Sequence, residues 1–343
     1  MSKKIWYYLR KTAIFIAGVF ILTLVVFFIS RLTPIDPLQS YYGERVEKMS
    51  VEEKNIARER LGLNEPVFTQ YFKWLDNAFH GDFGISYKYK QDALELIGER
   101  IGNTLILGGI GFIIIFLGSL GLGLWCARRE NSLFDRIVCK LGTILSCVPE
   151  FWLALVLILV FCVMLRILPS SGAYSVTAAN ESGLAALGDR IAHLILPLTV
   201  VVLEHLWYYA YIVRNKCLEE IRADYVLLGR AIGLTKRRVV YRHCLRNLMP
   251  SYLSIMAIAV PHILGGTYIV ETVFSYPGIG SLAYESARFA DYNMLMLLCV
   301  LTGIVVIFFN MLAQILNEHI DPRIRAEQAV SGRRAADFRQ EPK

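Results

Sequence analysis

The chain has 343 residues, of which 55% are hydrophobic and 19% charged, and its mean hydropathy is +0.46; a soluble domain carries more charge and fewer long apolar runs. The net charge of +7 does not point to nucleic acid, because Lys and Arg flank apolar runs instead of forming a patch with interleaved aromatics. The seven cysteines include no CxxC pair and fall in apolar runs or in stretches assigned below to the cytoplasm, which predicts free thiols rather than a disulfide framework.

A membrane-spanning helix needs about 20 mostly apolar residues. The first candidate covers 13–30 and follows Lys3, Lys4, Arg10 and Lys11. It is longer than the apolar core of a signal peptide and ends without a small-residue cleavage site, so an uncleaved anchor is expected. A polar stretch, 31–103, follows, with helical patterns around 51–61 and 67–79. The second span is expected at 104–126, ending at Arg128-Arg129, and the third at 138–165, interrupted by Pro149. The fourth is expected at 191–213, the fifth at 251–273 after Pro250, and the sixth at 293–316. A charged tail closes the chain. Within the second span Ser119, Gly123 and Ala127 recur every four residues, which predicts a closely packed helix face.

Lys and Arg concentrate before the first span, between spans two and three, between four and five, and after six, while the short loops after spans three and five carry little beyond Arg166, Arg190 and Arg288. By the positive-inside rule both termini are expected in the cytoplasm, with 31–103 outside. The expected division is an anchor and external loop (1–103), a multi-span membrane domain (104–318) and a cytoplasmic tail (319–343).

An enzyme reading finds no support in known motifs. No Gly-Lys dipeptide is present, so there is no P-loop, and neither HExxH nor GxSxG occurs. The stretch between spans four and five is more informative. Leu218, Ile221, Tyr225 and Leu228 recur at helical spacing. Gly233 suits a left-handed helix C-terminus, and Thr235 can cap a second helix bearing Lys236, Arg237, Arg238, Arg242 and Arg246. Helix, reversal, helix is expected at the cytoplasmic surface. On chemistry alone this is either a basic hairpin lying on lipid headgroups or a docking element for a soluble partner.

The same stretch resembles the coupling loop of type-1 ABC importer permeases, in the oligopeptide, dipeptide and nickel branch. The residues that carry the likeness are Asp224-Tyr225-Val226, Arg230-Ala231-Ile232-Gly233-Leu234, Arg242-His243-Cys244-Leu245-Arg246-Asn247 and Pro250; Gly229 departs from the alanine usual in that branch. Leu61-Gly62-Leu63-Asn64-Glu65-Pro66, Gly81-Asp82-Phe83-Gly84-Ile85-Ser86, Asn103-Thr104, Pro149 with Phe151-Trp152, Leu168-Pro169-Ser170-Ser171-Gly172, Glu271-Thr272-Val273-Phe274, Pro277-Gly278-Ile279-Gly280, Asp291-Tyr292 and Asp321-Pro322-Arg323 extend it over nearly the whole chain.

The resemblance implies an all-α polytopic membrane protein of the type-1 ABC importer fold, with about six spans and a cytoplasmic coupling helix. It implies a prokaryotic cytoplasmic membrane and, as partners, a second permease, two cytoplasmic ATP-binding subunits and an external solute-binding protein. ATP and Mg would be used by those partners, with no cofactor and no metal held by this chain. Contact with the ATPase would fall on Ala223, Asp224, Tyr225, Arg230, Ala231, Gly233 and Leu234. Peptides are the expected cargo, with nickel or a metal chelate as the alternative; a membrane receptor or scaffold without transport is the reading from another class. Glu150, and Glu204 with His205, lie inside apolar spans, where ionisable groups are costly. They either tie helices together or line a path that favours cations.

Overall fold

The structure, a computed structural model, describes residues 3–32, 36–60, 62–175 and 183–320. Among these residues the secondary structure is helical apart from an isolated antiparallel bridge between Ile85 and Asp92. Five helices are long and apolar enough to cross a membrane, and a sixth span results if one bent pair is counted together.

α1 (Lys3–Arg31) is the first span. Four short helices follow: α2 (Pro37–Tyr42), α3 (Arg45–Lys48), α4 (Val51–Arg60) and α5 (Val67–Phe79). Both helical patterns read in this stretch are present; Leu61, the expected end of the first, lies outside the described residues. α4 starts in a capping box. The Ser50 hydroxyl accepts from the Glu53 amide at 3.2 Å and the Glu53 carboxylate from the Ser50 amide at 2.8 Å, which satisfies two amides that lack helical partners.

α6 (Ala93–Arg128) begins well before the expected 104. The Asp92 carboxylate explains this, because it accepts from the amides of Leu94 and Glu95 and so caps the helix there. At 36 residues α6 is about 54 Å long, longer than the hydrocarbon core of about 30 Å. Asn103-Thr104 therefore lies within the helix rather than opening it.

The third span is not one straight helix. α7 (Leu133–Leu145) stops, and after a sharp bend α8 (Glu150–Leu157) restarts with Pro149 as its N-cap and runs on as a π-helical stretch, Ile158–Met164. Proline has no amide hydrogen and disfavours helix in the residue before it, so the break sits at the interruption expected from sequence. α9 (Leu184–Ile221) is the fourth span, α12 (Leu245–Val273) the fifth and α14 (Tyr292–Ile320) the sixth, with α13 (Ile279–Arg288) before it. Pro250 lies inside α12 rather than at its start. Two short elements, α11 (Lys236–Arg238) and a π-helical turn at Val239–Cys244, lead into α12, so the basic helix after the reversal is continuous with the fifth span. The tail beyond Ile320, with Asp321-Pro322-Arg323, lies outside the described residues.

The chain forms two compact units. One comprises Met1–Gly111, Pro149–Val201 and Leu264–Ile307; the other comprises Phe112–Val148, Val202–Ile263 and Phe308–Lys343. In the first, Phe27, Tyr71 and Met296 form one buried cluster, and Ala93, Leu96, Ile97, Leu282, Met294, Leu297 and Leu298 form another. In the second, Ser119 and Ala127 are fully buried. A Cβ on Gly123 would sit 2.6 Å from the Ala210 carbonyl oxygen and 2.7 Å from Val213, so α6 and α9 meet there backbone to backbone. The four-residue stripe of small residues is the close-packed face expected. All seven cysteines are free thiols.

Candidate functional site

In the second unit, the segment between the fourth and fifth spans builds a compact reversal. The helical pattern read from Leu218 to Leu228 is divided in the structure. Leu218 and Ile221 belong to the end of α9 and are buried. The chain then turns at Ala223, whose backbone is extended (φ −70°, ψ 149°), and α10 (Asp224–Ala231) begins. Asp224 in the first turn suits the positive end of the helix dipole. α10 closes in a Schellman motif: the Gly233 amide donates to the Arg230 carbonyl at 2.9 Å, and the Leu234 amide to the Gly229 carbonyl at 3.0 Å. Gly233 has φ +91°, a conformation that costs a β-branched residue strain. Leu234 folds back so closely that a Cβ on Gly229 would lie 3.2 Å from it; this is the physical counterpart of the glycine found where alanine is usual. Thr235 caps α11 by accepting from the Arg238 amide.

This reversal leaves an apolar surface open. Tyr225, Leu227, Leu228 and Ile232 are exposed, the last at 74%, while Val226 and Gly229 face inward. Asp224, Arg230, Ala231 and Gly233 are also exposed, and Ala223 and Leu234 half-buried. The structure thus gathers the seven coupling candidates onto one short helix and its exit. Glu220, which sequence reasoning passed over, braces that helix. Its carboxylate accepts from the Tyr225 hydroxyl of α10 at 2.5 Å and from the Asn247 amide of α12 at 3.2 Å. Below it, the Arg214 guanidinium grips the buried Asp135 carboxylate with two hydrogen bonds of 2.6 and 2.8 Å, tying α9 to α7.

Glu204 and His205 line a cavity of about 450 Å³ in the same unit, together with Tyr208, Tyr209 and His262. Glu150 belongs to the first unit and is the first residue of α8, a place where the helix dipole favours a carboxylate. No group of three or more His, Cys, Asp or Glu side chains among the described residues is arranged to hold a metal ion.

In the first unit two further carboxylates organise the last loop. Glu271 is fully buried and accepts from the Thr104 hydroxyl at 2.7 Å and from the amides of Gly280 and Ser281 at 2.7 and 3.1 Å. A Cβ on Gly278 would lie 2.4 Å from the Glu271 carboxyl carbon, so the Pro-Gly-Ile-Gly sequence leaves room for this carboxylate. Asp291, also fully buried, accepts from the Ser86 hydroxyl at 2.5 Å and the Lys88 amide at 3.1 Å. Alongside, Glu285 takes hydrogen bonds from the Tyr89 hydroxyl and, at 2.9 Å, the Lys88 ammonium. Burial pushes the Glu285 carboxyl up, but these two donors outweigh it and hold its pKa below the ordinary value. Glu271 was legible as a carboxylate ending an apolar run, the same signal that singled out Glu150 and Glu204.

Spanning helices together with a reversal that exposes an apolar helix define a polytopic membrane protein. The comparisons with known proteins identify the class. Residues 119–326 match the family model described as "binding-protein-dependent transport system inner membrane component", and residues 5–108 match the model of the N-terminal part of such components. The chain belongs to this family, the inner-membrane permeases of ABC importers. It is 32% identical to the oligopeptide transport system permease protein AppB of Bacillus subtilis, over 93% of this chain and 98% of that one. It is 31% identical to the oligopeptide permease OppB of Escherichia coli K12, over 92% and 98%, and 29% identical to the metal-staphylopine import system permease CntB of Staphylococcus aureus, over 92% and 97%. Its fold is similar to that of the inward-facing MetNI methionine ABC transporter, with a TM-score of 0.52 at 18% identity, covering 66% of this chain and 97% of that one. It is thus a multi-pass inner-membrane protein.

Proposed function

We propose that this permease moves peptides across the cytoplasmic membrane, paired with a second permease, energised by two cytoplasmic ATP-binding subunits and fed by an external binding protein. The observation that carries the reading is similarity at 31–32% identity, over more than nine-tenths of the chain, to proteins named as oligopeptide permeases. ATP and Mg act on the partner subunits. α10 with its flanking residues, Ala223, Asp224, Tyr225, Arg230, Ala231, Gly233 and Leu234, is the contact with an ATPase subunit. ATP-driven closure of the ATPases then shifts the permease between inward- and outward-open states. Both termini face the cytoplasm and the 31–103 segment lies outside, as the Lys and Arg distribution requires. The 104–318 region carries the transport machinery.

The test is uptake of a labelled tripeptide by cells lacking this permease, with and without the gene restored. Restored uptake is the expected result; uptake of a metal chelate and not of peptide would transfer the reading to the class named for the Staphylococcus relative. Orientation is checked with an impermeant thiol reagent on intact cells. A cysteine introduced in the tail should stay unlabelled, and its labelling would reverse the topology.

A further inference from the structure

We propose that the cavity containing Glu204 is a station for the side-chain cation of a Lys- or Arg-containing peptide. The inference rests on the peptide-importer reading and adds a cargo preference to it. The cavity, about 450 Å³, lies between α9 and α12 in the second unit, with Glu204 the only carboxylate and no Lys or Arg among its described lining residues. Oε2 of Glu204 is buried and has no hydrogen-bond partner. A buried acceptor without a donor is costly and calls for an explanation. A carboxylate that only tied helices together would hold a donor on that oxygen.

The rest of the lining fits a long side chain with a charged tip. Tyr208, Tyr209 and Ile258 offer ring faces and an apolar wall, suited to the methylenes of Lys or Arg while the tip reaches the carboxylate. Tyrosine faces also attract cations. His205 and His262 supply further polar groups. A bare metal ion does not fit, since no metal-holding group of side chains exists among the described residues. An α-ammonium group is common to unmodified peptides and gives no discrimination among them, so the preference is read at the side chain.

The experiment compares uptake of Ala-Lys-Ala and Ala-Ala-Ala by the complete importer, normalised to permease in the membrane, for the native chain, Glu204→Gln and Glu204→Asp. Glu204→Gln should lower the ratio of cationic to neutral uptake about tenfold, the loss of a charge-assisted contact, and Glu204→Asp should retain most of the preference. An unchanged ratio with Ala-Ala-Ala still imported overturns the station and leaves the peptide reading standing. If the native importer takes up neither peptide, the peptide reading falls, and a cargo-independent arm decides the station. In a Ser146→Cys, Cys147→Ser background, the thiol in the cavity is reacted with a trimethylammonium-ethyl and a methyl methanethiosulfonate. Glu204→Gln should lower the cation-to-neutral rate ratio about threefold or more. An equal ratio, or a thiol inert to both reagents, overturns the proposal.

Discussion

Replacing Glu271 by Gln tests whether its carboxylate holds the last loop in place. The carboxylate receives three donors: one hydroxyl on Oε1 and two backbone amides on Oε2. A glutamine of the same size has one oxygen and one NH2, so it must turn a donor toward either Thr104 or the two amides. Hydrogen bonds to a charged group contribute about 1.5–3 kcal/mol each, and a buried donor left unpaired costs a similar amount. Local opening around the start of α13 should therefore become easier by at least about 1.5–3 kcal/mol, which speeds amide exchange roughly 10- to 150-fold. Hydrogen–deuterium exchange of the 276–288 peptide in the purified complex reads this directly. Thr104→Val removes one donor and should produce a smaller change in the same peptide. Gly278→Ala should act through its clash with the carboxyl group. Unchanged exchange in Glu271→Gln would refute the latch, as would a rise shared by peptides throughout the permease.

The Schellman exit of α10 predicts that Gly233→Val inserts normally but abolishes cargo-stimulated ATP hydrolysis by the reconstituted importer; normal stimulation would remove the assigned role. Glu220→Ala frees α10 from both α9 and α12, at an expected cost of about 1.5–3 kcal/mol. It should lower stimulated hydrolysis while leaving basal hydrolysis by the ATPase subunits unchanged, and equal loss of both would argue for misassembly instead. The Lys88–Glu285 pair should be pH-dependent. Because the folded pKa of Glu285 is depressed, its contribution is present above the unfolded value of about 4.3 and is lost as pH falls through the folded value. Exchange of 276–288 should rise on acidification into that range, and Glu285→Gln should remove the pH dependence.

The sequence by itself determined the number of spans, the break at Pro149 and the family, because apolar length and glycine act locally, whereas Pro197, Pro250 and Pro261 lie inside helices. A run such as 293–316 cannot be solvated as a loop, Pro149 has no amide to donate and disfavours helix before it, and Gly233 fits a left-handed exit. Helix ends were less legible, since α6 starts where the Asp92 side chain finds two amides and α9 stops where Ala223 turns extended. The tertiary structure alone decided which polar groups meet. Glu271 and Thr104 are 167 residues apart in sequence, and His262 joins Glu204 only because α9 and α12 border one cavity. Carboxylates in apolar runs look alike along the chain. What separates a latch at Glu271 from the cavity carboxylate at Glu204 is the set of donors that folding brings within about 3 Å.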